Sequence, residues 1–66
     1  MSQEQDDEFT EAIDGWLNAG NLSERLERLA EEFGVSSSDV SRWVRGTSRP
    51  HPSKQRQVIR YVRENP

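Results

Sequence analysis

No cysteine occurs in this chain, which removes disulfides and thiolate metal sites and suits a reducing, cytoplasmic setting. Long apolar runs are missing as well, since adjacent hydrophobic residues come only in pairs. Neither a membrane span nor the apolar segment of a secretory signal is therefore expected. Hydrophobic residues make up only 30% of the sequence, against 32% charged. The large ones are four Leu, five Val, two Ile, two Phe, two Trp and one Tyr. That is enough for a single small core, with a stability on the order of a few kcal/mol.

Catalytic and metal-binding patterns are equally scarce. Histidine occurs once, as His51 between Pro50 and Pro52. With no Cys or carboxylate partner in its pattern it makes a poor metal ligand, and exposure or a phosphate contact is the expected fate of its ring. Asp6, Asp7 and Glu8 lack the glycine turn and ligand spacing of a calcium loop. No serine is accompanied by a His and an acid in a nucleophilic arrangement, and there is no glycine-rich phosphate loop. No enzyme, metal or cofactor is expected. Strand-like alternation and internal repeats are absent too, which leaves an all-α domain.

What the sequence does contain is a segregation of charge. Residues 1 to 34 hold ten acids and two bases, net −8, whereas residues 35 to 66 hold two acids and seven bases, net +5. The overall −3 hides a basic half, and an electrostatic footprint is local. Residues 1 to 8, MSQEQDDE, read as an acidic disordered tail, and residues 9 to 66 as the folded domain.

Helical periodicity organises that domain. Phe9, Ala12, Ile13, Trp16 and Leu17 gather into one stripe, which predicts a first helix to about Ala19 with Gly20 as its stop. Gly15 inside it costs about 1 kcal/mol relative to Ala. Leu22, Leu26, Leu29, Ala30 and Phe33 predict a second helix from Leu22 to Phe33, ended by Gly34. Ser36, three residues before Asp39, nearly matches a capping box and starts a third helix at Ser37 that ends before Gly46. The prolines of TSRPHP interrupt helix, and a fourth begins at Pro52 or Ser53 with Val58, Ile59, Tyr61 and Val62 inward.

The third helix points to a function. Val40, Trp43 and Val44 face inward, and Ser38, Ser41, Arg42 and Arg45 lie on the opposite side. Short serines keep that face slim enough for a major groove, and an arginine can fork onto the O6 and N7 acceptors of guanine. A solvated outer face would have the same composition. The arrangement favours duplex DNA: two helices joined by a tight glycine-containing turn, the second basic, then a loop carrying Arg49. Trp16 and Trp43, on apolar stripes, are expected in the core rather than stacked on bases. Lys54, at the start of the fourth helix, is a candidate phosphate contact. Arg60 and Arg63 are expected to be solvated or paired with the acidic second helix.

Ala30, Gly34-Val35-Ser36, Val40-Ser41-Arg42-Trp43, Gly46 and Arg49-Pro50 together resemble the lambda-repressor-like (Cro/C1 type, XRE) helix-turn-helix proteins, closely over residues 29 to 53 and more loosely over 9 to 64. The resemblance implies a compact four-helix domain with a central helix-turn-helix. In it Ala30 and Gly34 let two helices cross closely, Val35 and Val40 pin them, and the third helix enters the major groove. It further implies base contacts from Ser36, Ser37, Ser38 and Arg42, joined on the outer face by Ser41, and phosphate contacts from Arg45, Thr47, Ser48 and Arg49. The family's fifth helix, often used for dimer contacts, is expected to be missing after Val62.

The expected function is sequence-specific duplex DNA binding by a small transcriptional regulator, most simply a repressor, as a homodimer at least on DNA. The alternatives are a protein-interaction module whose acidic half docks to a basic partner, and an antitoxin-like accessory subunit that joins DNA binding to a protein partner.

Overall fold

Phe9, Ile13, Trp16 and Leu17 are all buried on one face of a single helix, and the rest of the chain closes on that face. The computed structural model describes residues 8–66. Its elements in order are α1 (Glu8–Asn18), α2 (Leu22–Phe33), α3 (Ser37–Arg45) and α4 (Pro52–Glu64), with no strand among the described residues. Helix α1 packs against each of the other three, and α2 packs against α3. Leu29 and Ala30 of α2, Val40 and Trp43 of α3, and Val58 and Val62 of α4 complete one core. Its aromatic contacts link the helices: Phe9 meets Trp43 with ring centres 5.7 Å apart, Trp16 meets Tyr61 edge-on at 6.0 Å, and Phe33 meets Tyr61 edge-on at 5.8 Å.

Each helix after the first has its ends fixed by local bonds. Asn21 caps α2 by accepting from the Glu24 N–H at 2.9 Å. At its other end Gly34 takes φ +66°, the left-handed region in which a Cβ is penalised. The Val35 N–H then reaches back to the Ala30 carbonyl at 2.9 Å, the six-residue closure of a Schellman turn. Helix α3 ends the same way, with Gly46 at φ +79° and the Thr47 N–H on the Arg42 carbonyl at 3.0 Å. His51 caps α4, its Nδ1 accepting from the Ser53 N–H at 3.2 Å, and Pro52 occupies the first helical position, where its missing N–H costs nothing.

Several side chains depart from the sequence reading. The tail was expected to run to residue 8, but Glu8 opens α1; the remainder of the expected tail, residues 1–7, lies outside the described residues. Glu8 is held in place by Arg63, whose Nη2 lies 3.2 Å from its carboxylate, so Arg63 pairs with α1 rather than with α2. Leu22, assigned to the apolar face of α2, is 53% exposed, because it sits at the first position of the helix, beyond the reach of the core. Gly20 does not adopt the left-handed conformation of a helix stop. Its role is spatial: a Cβ there would run into the Arg25 guanidinium.

Candidate nucleic-acid interface

The orientation of α3 follows from its two faces. On the inner side Val40 is wholly buried and Trp43 is 4% exposed, and the Trp43 indole packs against Phe9, which sets the side of the helix that faces the core. On the outer side Ser38, Ser41, Arg42 and Arg45 line one shallow depression open to solvent. Four of the residues assigned to DNA are thus brought onto a single surface. The serines leave it low enough for close approach, and two guanidinium groups supply long-reaching donors.

The turn before α3 is built entirely from residues 34 to 36. Gly34 reverses the chain, Val35 tucks partly against the core, and Ser36 caps the new helix. The Asp39 N–H donates to Ser36 Oγ at 3.1 Å and the Ser36 N–H donates to Asp39 Oδ2 at 3.4 Å, a reciprocal capping box. Ser36, assigned to a base contact, therefore has its hydroxyl oxygen committed to its own helix. Ser37 and Ser38 follow in the first turn, both exposed, where the helix dipole and unpaired N–H groups favour an anion.

Asp39 has a second task that the sequence reading did not assign. Its Oδ1 lies 3.5 Å from Arg42 Nη1, with side chains 59% and 43% exposed for Arg42 and Asp39 respectively. An exposed pair at this distance contributes at most about 1 kcal/mol, so it pre-orients Arg42 without sequestering it. The acid at i and the base at i+3 are the only signal in the sequence for this tether, and their adjacency follows once α3 is assigned.

Beyond the helix, Thr47 Oγ1 donates to the Arg42 carbonyl at 3.3 Å, which turns the hydroxyl back onto α3. Ser48 and Arg49 are exposed in the loop, and Gln55 Nε2 holds that loop by donating to the Pro50 carbonyl at 2.9 Å. Lys54 stands apart from the group. It is half-buried, with Nζ 3.5 Å from the Phe33 carbonyl, where a cation offsets the negative end of α2.

Comparisons with protein-family models, with curated proteins and with solved structures find no match to this chain. Among the described residues, no helix is long and apolar enough to cross a membrane.

Proposed function

We propose that the chain is a lambda-repressor-like helix-turn-helix protein that binds duplex DNA sequence-specifically, with α3 laid in the major groove. One observation carries the reading: Ser38, Ser41, Arg42 and Arg45 share a single solvent-open surface on a helix whose opposite side is locked into the core. In this reading Arg42 reads a base and Ser37, Ser38 and Ser41 lie against base edges. Ser36 shapes the approach while it caps the helix. Arg45, Thr47, Ser48 and Arg49 flank them at phosphates, and Lys54 reaches a phosphate only by leaving the Phe33 carbonyl. So small a module gains specificity by binding in two copies on a two-fold symmetric site. Occlusion of a promoter, which needs no effector domain, makes a cytoplasmic repressor the simplest physiological role.

Selection from a pool of random duplexes, followed by sequencing of the retained fraction, tests the reading directly. Enrichment of a palindromic site is the expected result. Retention that depends on salt alone, with no sequence enriched, would instead favour a protein-interaction module on the same scaffold.

A further inference from the structure

Arg56, Arg60 and Arg63 lie at i, i+4 and i+7 along α4, and all three are exposed. Together with half-buried Ile59 and with Glu8 and Glu64 they line one concave surface beside the start of α1. Arg63 is already engaged there, its Nη2 3.2 Å from the Glu8 carboxylate. Arg56 and Arg60 form no ion pair among the described residues, and neither does Glu64, which follows Arg63 at the end of α4, away from Arg56. The surface thus starts with a matched pair and continues with two unmatched cations.

The chain itself supplies carboxylates at the right place. Residues 1–7, outside the described residues, contain Glu4, Asp6 and Asp7 and no Lys or Arg. They join the fold at Glu8, which is one wall of the arginine surface. Seven residues span at most about 25 Å, whereas Arg60 and Arg56 lie only about 4.5 and 10.5 Å from Arg63 along the helix axis. The reach is ample: Asp7 and Asp6 fall within range of Arg60, and Glu4 within range of Arg56. The other side of Glu8 attracts an acidic segment less. There the groove between α1 and α4 is lined by Glu11, Ala12, Gly15 and Ala19 among others, and among the described residues its lining holds no cation besides Arg63.

We infer that residues 1–7 lie along the arginine face of α4 in the same chain, Glu4, Asp6 and Asp7 pairing with Arg56 and Arg60 as a continuation of the Glu8–Arg63 contact. Because the segment is tethered, its effective concentration at that face is on the order of mM. Exposed ion pairs too weak to recruit a separate peptide then act together, and salt loosens them. The consequence is electrostatic. Helix α4 presents a neutralised surface to phosphates, and the cations left for duplex DNA are those around α3. The contact is read without DNA, so it stands or falls apart from the reading of α3.

The absence of cysteine allows a single nitroxide label at Gln5→Cys in the full chain, read by NMR line broadening. At about 0.01 M salt, where the Debye length is about 30 Å, the amides of Arg56, Ile59 and Arg60 should lose intensity, and at about 1 M salt they should recover much of it. Neutralising the segment with Glu4→Gln, Asp6→Asn and Asp7→Asn, or the helix with Arg56→Gln and Arg60→Gln, should abolish the salt-dependent loss, with circular dichroism confirming that each variant is helical. Deleting residues 2–7 should also raise affinity for a duplex of random sequence several-fold at low salt, and that gain should vanish in the Arg56→Gln, Arg60→Gln chain. Broadening that persists unchanged in either neutral set comes from the tether alone and overturns the inference. So does broadening centred on Ser38, Ser41, Arg42 and Arg45, which puts the segment on α3. A duplex affinity that deletion leaves unchanged, or raises equally with and without the two arginines, overturns it as well.

Discussion

The Arg25 guanidinium lies over the Trp16 indole, 4.7 Å from its centre, while Nη1 donates to the Trp16 carbonyl at 2.9 Å. One side chain thus satisfies a carbonyl in the last turn of α1 and covers the aromatic face beside it. The indole N–H of the same Trp16 donates to the Asn65 carbonyl just past α4. Three segments far apart in sequence meet at this pair, and Gly20 leaves the room for it.

Arg25→Ala is expected to destabilise the domain by about 1–2 kcal/mol through loss of the stacked cation and of one of the two donors to the Trp16 carbonyl, which keeps the Ala19 N–H at 3.3 Å. Arg25→Lys should recover only part of this, because an ammonium cannot lie flat on the ring and donate sideways together. Urea melts followed by circular dichroism measure both. An Arg25→Ala midpoint equal to that of the unaltered chain contradicts the assignment.

Glycine-to-alanine changes should differ in sign along the chain, although a Cβ meets open space at Gly15, Gly34 and Gly46 alike. Gly15 lies within α1 at an ordinary helical position, so alanine there should stabilise by about 0.5–1 kcal/mol. Gly34 and Gly46 have φ +66° and +79°, where alanine should cost about 1–2 kcal/mol. Thermal melts of the three single variants decide it, and a Gly46→Ala variant as stable as its parent would remove the backbone argument for the end of α3.

Trp43→Ala should cost about 3–5 kcal/mol and leave the domain largely unfolded at ordinary temperature. Trp43→Phe, which keeps a ring against Phe9, should still give a cooperative melt and keep DNA affinity. If the phenylalanine variant melts normally but loses DNA, the indole is a DNA contact and not a core residue.

Arg42→Ala should weaken the best DNA site by about 1–3 kcal/mol and relax the preference at one base pair in each half-site. Titration of the selected duplex and of single-base variants measures both effects. A loss equal for every sequence would move Arg42 to a phosphate.

Arg45→Ala and Arg49→Ala should each lower affinity for all duplexes alike. Each should also reduce the slope of log affinity against log salt by about one. Titrations over a range of salt separate the two kinds of arginine, because a base-reading residue changes preference and a phosphate contact changes the slope.

Most of the backbone was legible in the sequence because its signals are local. The Ser36–Asp39 box, the glycines at 34 and 46 and the Val40–Trp43 spacing are each complete within a few residues, and the helices that they bound run as expected. What escaped depends on distant neighbours. Arg25 acquires a role only when the end of α1 and the end of α4 are brought beside it. Arg63 chooses Glu8 over the acids of α2 because α4 packs on α1. Lys54 reaches Phe33 across twenty-one residues, and no spacing rule ties a cation to a carbonyl that far upstream. His51 was read as exposed, which it is, but its capping bond to Ser53 requires the particular dihedrals of a proline-flanked turn. For the candidate interface, the periodicity of α3 sufficed to group Ser38, Ser41, Arg42 and Arg45, whereas the inward turn of the Thr47 hydroxyl depends on how α3 ends.

The contact between Trp16 and Asn65 spans forty-nine residues, and it bears on the order in which the molecule assembles. The bonds that shape α2, the turn and α3 close over at most five residues, so this middle section can form as soon as it is synthesised. The core cannot, since part of the covering of α1 arrives only with α4, which follows the other three helices in the chain. Until then Trp16 lacks both the Tyr61 ring and the Asn65 carbonyl. Bringing these two ends together closes a long loop, a slower event than forming the local turns.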